Sequence, residues 1–491
     1  MNRLNRREFL KAAGLGVASL AAGGCLNASQ TIGLPNVGKK PNIIFIMVDD
    51  LGPEWVSCYG AEDIKTPNID KLAAGGMQFS KSYSMAQCTP TRAALLTGQY
   101  PWRNGWVNHW DVPRWGAGCH FDPKYNMTFA RVLKSAGYVT AAAGKWQLND
   151  FRLQPQIMKE HGFDEYCMWT GGEGNNLTRS TKRYQNPYIH TKKGSKTYKD
   201  KFGEDVFSDF LIDFMRRNKH KPMMLYYPMC LTHTPFTSTP DEPNVTGKYD
   251  CHKAMVRYAD YILGKIVKAL DELAIRNNTI IFWTSDNGTV RSITGRMNGR
   301  AVKGGKASLA EAGVREPFIV NCPSLVPAGV KTDALTDFTD MMPTFAELAG
   351  ARLPKDVIID GRSIAKLILG KKKDSDRLWI MAMGFGPARI ADDRVRTKKI
   401  FTDRVVRDKQ YKLWVENGKS SKLFDLLSDP AEKNNIIDSP EPQVAAARAK
   451  LEAVVQFFPR TDASPKYDPT PPQSWDRKPK TTKKSKKKTG N

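Results

Sequence analysis

Acidic and amide side chains directly follow two apolar runs that lie far apart in the chain. Asp49 and Asp50 follow the first run, and Asp286 and Asn287 follow the second. Their oxygen atoms form a ligand set typical of a hard divalent cation and unsuited to a thiophilic metal. Such segments are more often plain turns, but carboxylates grouped in one crevice are costly without a cation. We therefore predict that these four residues bind Ca²⁺, with Mg²⁺ as the alternative.

A cysteine stands at the start of a predicted helix in the segment CTPTR, residues 88–92. Thr89 is a suitable N-cap and Pro90 a suitable first helical residue, which predicts a helix through residue 97. Unpaired N–H groups at a helix start favour an anion and lower the pKa of a nearby thiol. Arg92, one turn into the helix, is expected to approach the same point. A buried structural cysteine is the alternative, but this spacing favours a functional role for Cys88.

Buried strands with helical segments between them would position these residues. The apolar runs of the first 370 residues are continuous, as expected for strands buried on both faces. We predict strands at Asn42–Val48, Tyr138–Ala143, Met223–Met229, Thr279–Thr284 and Val314–Val320. This pattern predicts an α/β fold with a large, doubly wound, mostly parallel sheet flanked by helices. Ligands bind at the carboxyl ends of such strands, so Lys145 and His233, which follow the second and third runs, should join the same crevice.

The domain organisation is predicted from shifts in composition. Residues 41–370 form the predicted α/β catalytic domain, and a linker rich in Lys and Asp follows. Residues 376–460 combine strand-like pieces with an amphipathic helix near Pro440–Phe458, which predicts a smaller C-terminal α+β domain built on an antiparallel sheet. Residues 461–491 are expected to form a basic, disordered tail.

The first 25 residues resemble an export signal rather than part of the fold. Residues 5–11 read NRREFLK, a twin-arginine pattern, and a small-residue apolar stretch follows as far as Gly24. The segment AGGC, residues 22–25, resembles a bacterial lipoprotein processing site, and two outcomes stay open: lipidation of Cys25, or plain cleavage nearby. One lipid chain would anchor the protein only weakly to a membrane. We predict an exported protein, periplasmic or associated with the cell envelope, with residues 26–40 as a linker.

The net charge of +25 favours an anionic partner. Eight of these charges lie between Arg477 and Lys488, which leaves +17 for the rest of the chain. Because an exported protein is separated from nucleic acid, a nucleic-acid partner is not expected. The basic tail is interpreted as a solvated segment, with an electrostatic tether to acidic polysaccharide or to the cell envelope as the alternative. No run of 18 apolar residues follows the N-terminal stretch, so no membrane span is predicted there.

Six cysteines remain when Cys25 and Cys88 are set aside. An oxidising compartment permits disulfides among them, and separate thiols are equally compatible with the sequence. No Cys-x-x-Cys pair occurs, which argues against a zinc ribbon or a thioredoxin-type site.

The ordered set of motifs resembles the type I, formylglycine-dependent sulfatases, an arylsulfatase-like family of the alkaline phosphatase superfamily. The matching segments, in chain order, are residues 42–50, 88–92, 137–146, 233–235, 286–288, Lys306 with residues 311–317, residues 411–413, 423–426, 429–430 and 434–435. The resemblance covers most of residues 41–440 in one consistent order. Each motif alone is weak evidence, but the ordered set is specific.

The resemblance implies that a formylglycine-generating maturation enzyme oxidises Cys88 to formylglycine. The hydrated aldehyde would attack the sulfur of a sulfate ester while the metal activates it, which makes residue 88 a metal ligand as well. Arg92, Lys145 and Lys306 would offset charge on the sulfate oxygens, and His233 would bind the sulfate or protonate the leaving alkoxide. The implied reaction releases inorganic sulfate from a sulfated carbohydrate or an aryl sulfate.

Gln147 departs from the family's pattern, which has histidine two residues after the first lysine. An amide cannot accept a proton at neutral pH, although Gln147 can still bind substrate. His109, His120 and Asp150 are candidates for a replacement base. Two alternatives to a sulfatase stay open: a phosphonate or phosphate-ester hydrolase of the same superfamily, and a turnover-deficient protein that binds sulfated glycans.

Substrate selectivity is expected in two segments that are rich in Trp, Tyr, Arg and Gly. These segments are Trp102–Tyr125 and Phe151–Lys201. Their aromatic rings are suited to stacking on sugars, although core packing is the more ordinary use of such residues.

Overall fold

A large mixed sheet forms the centre of the computed structural model, which describes residues 40–108, 118–170, 182–386 and 388–474. The strands of these ranges are β1 (Asn42–Val48), β2 (Met77–Tyr83), β3 (Val139–Lys145), β4 (Glu165–Trp169), β5 (Tyr188–Thr191), β6 (Gly194–Thr197), β7 (Met223–Pro228), β8 (Thr279–Ser285), β9 (Thr294–Met297), β10 (Arg300–Lys303), β11 (Arg315–Asn321), β12 (Val330–Thr332), β13 (Thr336–Asp337), β14 (Ile380–Met383), β15 (Ala388–Ala391), β16 (Arg394–Thr397), β17 (Arg404–Arg407), β18 (Tyr411–Glu416) and β19 (Lys419–Asp425). Eleven of them form the large sheet in the order β12-β2-β11-β8-β1-β7-β3-β4-β5-β6, with β13 also paired to β2.

The middle of this sheet is parallel, as the sequence predicts. Strands β8, β1, β7, β3 and β4 run in the same direction, and the antiparallel pairs lie toward both edges. In β1 every residue is buried. Ile43 and Phe45 belong to the apolar core on one face, whereas Ile44 and Ile46 belong to the core on the other. Burial on both faces explains why this run lacks the alternation of polar and apolar residues.

Helices cover both faces of the sheet. They are α1 (Pro67–Ala74), α2 (Cys88–Thr97), α3 (Pro101–Asn104), α4 (Phe129–Ser135), α5 (Ile157–Glu160), α6 (Gly203–Asn218), α7 (Lys248–Glu272), α8 (Glu311–Val314), α9 (Met341–Ala349), α10 (Ala365–Ile368) and α11 (Pro442–Val455). Helices α6 and α7 contribute to the core on one face, and α2, α4 and α9 contribute to the core on the other. The doubly wound arrangement is thereby confirmed. No helix in these ranges combines the length and apolar character that crossing a bilayer requires.

The C-terminal part contains a second, antiparallel sheet, which confirms the predicted fold class. Its strand order is β14-β17-β18-β19, and α11 lies within the predicted helical segment. Lys412 of β18 is fully buried and pairs with Glu311 of α8 at 3.1 Å and with Glu432 at 3.0 Å. The described residues between 40 and 474 belong to one compact unit, so the domain bounds at residues 370 and 376 stay predictions.

Several sequence predictions are corrected or lie outside the described residues. Strands β2 and β4 were not expected, because β2 carries Ser80 and Lys81 on accessible positions and β4 begins with a glutamate. The predicted disordered tail does not start at residue 461, because Asp462 forms a buried pair with Arg404 at 2.6 Å. No disulfide joins the cysteines of the described ranges. The export signal, Cys25, most of the 26–40 linker, and residues 475–491 lie outside those ranges.

Candidate active site

The carboxyl ends of β1 and β8 bring the two predicted pairs of metal ligands together. Val48 is paired with Ser285, the last residue of β8. The backbone N–H of Asp286 donates to the carbonyl of Val48 at 3.0 Å, so Asp49 and Asp286 leave the sheet side by side. Both carboxylates are fully buried. Two segments more than 230 residues apart in sequence therefore meet in one crevice, as predicted.

The left-handed conformation of Asp50 turns its side chain into the same crevice. Adjacent residues of a strand point to opposite faces, but Asp50 lies beyond the end of β1 and has a φ of 65°. Its N–H donates to Oδ1 of Asp286 at 3.2 Å, and Nδ2 of Asn287 donates to Oδ1 of Asp50 at 2.7 Å. The turn thus lets two consecutive aspartates face one point.

Each of the three carboxylates is paired with a predicted catalytic cation. Lys145 Nζ lies 2.6 Å from Oδ2 of Asp49, and Arg92 Nη2 lies 2.6 Å from Oδ2 of Asp286. Lys306 Nζ contacts both oxygens of Asp50, at 2.6 and 2.7 Å. All six predicted charged residues therefore converge, although Lys306 entered the prediction only through the family resemblance.

Two buried oxygen atoms indicate that the crevice fits a divalent cation. Oδ1 of Asp49 and Oδ1 of Asn287 are buried and accept no hydrogen bond from the described residues. Ligand atoms of Asp49, Asp286 and Cys88 lie within 4.8 Å of one another, and so do those of Asp49, Asp50 and His233. Buried acceptors without a donor are rare and destabilising. A hard cation would satisfy both atoms, so the predicted residues fit Ca²⁺ or Mg²⁺.

The surroundings in the crevice shift the pKa values of Asp49 and Asp286 in opposite directions. Burial opposes ionisation of Asp49, but the positive charges around it, with that of Lys145 the largest, together outweigh burial and hold the pKa of Asp49 well below its usual range. Burial raises the pKa of Asp286 well above its ordinary value, and the negative charge of Asp49 adds to this effect. Two carboxylates in one site with opposed pKa shifts are typical of a functional centre rather than of a plain turn.

Helix α2 begins at Cys88, two residues before Pro90, the predicted first helical residue. Gln87 is the N-cap, Cys88 is the first helical residue and Pro90 the third, so Thr89 is not the cap. Proline is accepted there because the first N–H groups of a helix have no intrahelical partner. Thr91 anchors this turn to the crevice, since its hydroxyl donates to the carbonyl of Asp286 at 2.7 Å.

Arg92 connects α2 to two strand ends at once. Besides its pair with Asp286, its Nη1 donates to the carbonyl of Lys145 at 3.0 Å. Burial alone would lower the pKa of Arg92, but the negative groups around it, with Asp286 the largest and Asp49 among them, together outweigh burial and raise the pKa, so the guanidinium stays charged. A charged arginine this deeply buried holds the helix start against the ends of β3 and β8.

Gln147 contacts the cysteine directly. The Sγ–H of Cys88 donates to Oε1 of Gln147 at 3.5 Å, and Gln147 has a φ of 60° just beyond the end of β3. Of the three candidate replacement bases, His120 contacts Gly118 and Asp122, and Asp150 is bound by the guanidinium of Arg152. His109 lies outside the described residues.

His233 lies on a loop at the rim of the crevice. Its Nε2 is 3.8 Å from Oδ2 of Asp50, and its side chain keeps about a fifth of its surface exposed (22%). Partial burial lowers the pKa of His233 to about 4, against the opposing charge of Asp50. Glu204 holds this loop, because its Oε1 accepts the N–H groups of Cys230 at 2.7 Å and Leu231 at 3.1 Å.

Sequence reasoning missed two further residues at the rim. Arg183 Nη1 lies 3.2 Å from Nδ1 of His233, and its Cζ lies 4.0 Å from the ring centroid of Trp169. Both residues fall inside the segment Phe151–Lys201, whose aromatic and arginine content was the signal for selectivity. Composition alone could not single them out from the other aromatic and basic residues there.

Comparison with known proteins identifies the family. The model of the sulfatase family matches residues 41–351, and that of the N-sulphoglucosamine sulphohydrolase C-terminal region matches residues 305–456. The N-acetylgalactosamine-6-O-sulfatase of Bacteroides thetaiotaomicron is 30% identical over 85% of this chain and 93% of its own. Human arylsulfatase A is 30% identical over 86% of this chain and 90% of its own.

A solved structure agrees with this result. The structure of Ps i-CgsB in complex with k-i-k-neocarrahexaose superposes on this chain with a TM-score of 0.71. The two chains are 28% identical, and the match covers 87% of this chain and 95% of Ps i-CgsB. The similarity therefore includes both the large sheet and the C-terminal sheet.

Proposed function

Because the chain belongs to the sulfatase family, we propose that it is an exported enzyme that removes sulfate from sulfated carbohydrates, with aryl sulfates as a second substrate class. Its relatives are named sulfatases, so the chain is a sulfuric ester hydrolase.

One observation carries the proposal: Cys88 lies in a buried crevice with three carboxylates, each of which is paired with a cation. A crevice for hydrolysis of a dianionic ester needs positive charge around the ester and a fixed nucleophile. Lys145, Lys306 and Arg92 supply the charge, and their ion pairs hold them in place before substrate binds. The position of Cys88 at the first turn of α2 places the positive end of the helix dipole near the same point.

Asp49, Asp50, Asp286 and Asn287 would hold the divalent cation, with residue 88 as a further ligand. When bound, the ion supplies positive charge that offsets the charge on the sulfate oxygens and on the nucleophile. Oδ1 of Asp49 and Oδ1 of Asn287, which are buried and have no hydrogen-bond partner among the described residues, support Ca²⁺ here, because a larger cation with flexible geometry suits a mixed carboxylate and amide set.

Formylglycine made from Cys88 by a maturation enzyme would supply a hydrated aldehyde. One hydroxyl would attack sulfur as the bond between sulfur and the alcohol oxygen breaks, and the second would lose its proton, re-form the aldehyde and expel sulfate. Around it, the side chains of this protein divide the remaining tasks. Lys145 and Lys306 donate to the sulfate oxygens, and Arg92 fixes Asp286 and the start of α2. His233, neutral at pH 7 because its pKa lies at about 4, is placed to donate a hydrogen bond to the ester oxygen.

Charge and family both favour a carbohydrate substrate. The chain keeps a net charge of +17 when the eight basic residues between Arg477 and Lys488 are left out, and this charge would attract a sulfated polymer electrostatically. One relative, at 30% identity, is named as an N-acetylgalactosamine-6-O-sulfatase. Another, at 28% identity, is solved in complex with a neocarrahexaose. The twin-arginine pattern supports export to the periplasm or cell envelope, where such polymers would be met, and Cys25 would add weak lipid anchoring if acylated.

The contact of Gln147 with Cys88 favours a second candidate, a protein that binds sulfated glycans with little turnover. An amide at this point cannot take up the proton that release of sulfate from the hydrated aldehyde requires. Saturable binding of a sulfated oligosaccharide without sulfate release would be the result expected of this candidate.

Release of inorganic sulfate tests the proposal directly. The protein is produced with a formylglycine-generating enzyme and incubated with an aryl sulfate, with sulfated galactan oligosaccharides and with the phosphate ester of the same aryl alcohol. We expect sulfate release that Cys88→Ala abolishes while its circular dichroism spectrum stays unchanged. Retained hydrolysis in Cys88→Ala would exclude the proposed nucleophile, and faster hydrolysis of the phosphate ester would favour the phosphoryl alternative.

A further inference from the structure

Arg183 is a cation at the rim of the active site that the mechanism above does not use. Its guanidinium lies over the ring of Trp169, with Cζ 4.0 Å from the ring centroid. Its Nη1 lies 3.2 Å from Nδ1 of His233. The side chain is partly exposed, so solvent and ligands can reach it.

Trp169 places this cation beside the catalytic residues. Trp169 is the last residue of β4 and is paired in register with Lys145, the last residue of β3. Arg183 also contacts Nδ1 of His233. The other ring nitrogen of His233, Nε2, lies 3.8 Å from Asp50. Arg183 is therefore separated from the metal-ligand cluster by one imidazole ring.

The charge of Arg183 is not compensated as the other site charges are. Lys145, Lys306 and Arg92 each have a carboxylate partner. Arg183 forms no ion pair within the part of the chain that the structure describes, and its Nε is buried without an acceptor. An arginine stacked on an aromatic ring presents a rigid fork of donors that matches a sulfate or a carboxylate.

We propose that Arg183 binds a second anionic group of the substrate, next to the sulfate ester that is cleaved. This inference rests on the proposed sulfatase function and specifies its substrate class: a carbohydrate that carries a further sulfate or a carboxylate close to the scissile ester. The stack on Trp169 holds the guanidinium in place before binding, which lowers the entropic cost of forming two parallel hydrogen bonds. A simple aryl sulfate, with one anionic group, cannot use this contact.

A substrate series separates the two sources of the second anion. The series contains a monosulfated sugar, the same sugar with a second sulfate, and a monosulfated disaccharide with a uronic acid. We expect wild-type kcat/KM to be highest for one of the two doubly anionic substrates, and the preferred one identifies the anion. Equal kcat/KM values across the series would overturn the inference, whereas absence of sulfate release from every substrate would instead count against the proposed function.

Arg183→Gln tests the residue itself. Loss of a charge-assisted contact should lower kcat/KM for the doubly anionic substrate by about tenfold more than for the monosulfated one. Arg183→Lys keeps the charge without the fork and should fall between Gln and wild type. Lys182→Gln, which removes the neighbouring exposed charge, is the matched control and should leave the ratio unchanged. An equal fall for all substrates would show that Arg183 acts on the cleaved sulfate and would overturn the second subsite.

A binding measurement keeps the test independent of turnover and of folding defects. In the Cys88→Ala background, calorimetric titration should show tighter binding of the doubly anionic sugar than of the monosulfated sugar. Adding Arg183→Lys should reduce this difference, and raising the salt concentration should reduce it in the parent protein. A difference that persists in the Arg183→Lys and Arg183→Gln proteins would contradict the assignment.

Discussion

Gln147 accepts a hydrogen bond from the Sγ of Cys88 at 3.5 Å, so the residue that departs from the family's pattern touches the proposed nucleophile. Its left-handed backbone, with a φ of 60°, is one that histidine tolerates better than most residues. The amide can orient a hydroxyl at residue 88 but cannot serve as a base.

Gln147→His should therefore raise kcat. Because general-base catalysis typically contributes about 10²- to 10⁴-fold, and part of that role is already filled by other groups or water, we expect an increase of about tenfold or more. Steady-state kinetics with an aryl sulfate measure the change. Gln147→Met, which has similar length but no hydrogen-bonding amide, is the control and should not increase kcat. An unchanged kcat in Gln147→His would mean that another group already acts as the base.

Removal of Asn287 Oδ1 should weaken calcium binding. Ca²⁺ that binds only the folded state stabilises it by about 2.7 kcal/mol at a concentration of 100 times Kd, so the Tm of the EDTA-treated protein should rise on titration with Ca²⁺. In Asn287→Leu the rise should require a higher Ca²⁺ concentration, because a buried ligand oxygen is lost. Asn321→Leu is the control, since Asn321 is a buried asparagine at the far end of β11. Identical titration curves for wild type and Asn287→Leu would argue against the proposed ligand set.

The buried Lys412 should contribute strongly to stability. Lys412→Met leaves the carboxylates of Glu311 and Glu432 without this partner, and breaking a buried ion pair typically costs about 3–5 kcal/mol. Urea unfolding measures the free energy of unfolding. Lys422→Met is the matched control on the neighbouring strand, because its pair with Glu416 keeps about a third or more of each side chain exposed (39% and 34%), and solvent-accessible pairs contribute about 0–1 kcal/mol. Equal losses in the two variants would contradict the role given to burial.

Glu204 should make stability depend on pH. Burial raises the pKa of Glu204 to about 7 from an ordinary value of 4.5 for glutamate, and nearby Asp205 adds to the effect. The folded state binds the proton of Glu204 more tightly than the unfolded state does. The stabilisation that this proton gives the folded state is therefore complete below about pH 4.5 and is lost as the pH rises to about 7. Between these two pH values, a single such group lowers the free energy of unfolding by about 1.4 kcal/mol per pH unit.

The difference between wild type and Glu204→Gln isolates this contribution from those of other buried carboxylates. The variant stays neutral and can still accept the N–H groups of Cys230 and Leu231, so its stability should vary less between pH 5 and 7. Tyr227 and Cys230 also face Glu204, but burial raises the pKa of both well above this range. Parallel pH–stability curves for the two proteins would contradict the account.

The parallel core of the fold could be predicted because burial on both faces leaves a continuous apolar run. The bounds of β1 were predicted correctly for this reason, and the polar residues after β1 and β8 indicated the crevice. Strand β2 was missed because part of it is accessible, with Ser80 exposed. Its pairing with β11 is a tertiary feature that local composition does not encode.

The metal ligands of the site could be predicted from the sequence, whereas Arg183 at its rim could not. Asp49, Asp50, Asp286 and Asn287 follow strands directly, so topology alone brings them together. Arg183 lies in a connecting segment, and its place beside His233 depends on the pairing of β4 with β3 and on the loop after β7. Long-range packing of this kind leaves no local pattern in the sequence.

Peptide mass spectrometry of residue 88 tests the central claim most directly. Trypsin cleaves after Lys81 and Arg92, so one peptide, residues 82–92, carries the position. In protein produced with a formylglycine-generating enzyme, we expect the mass of an aldehyde at residue 88, trapped by a hydrazine reagent. An unmodified thiol in this peptide, under conditions that convert a control sulfatase, would contradict the claim that Cys88 is the precursor of the nucleophile.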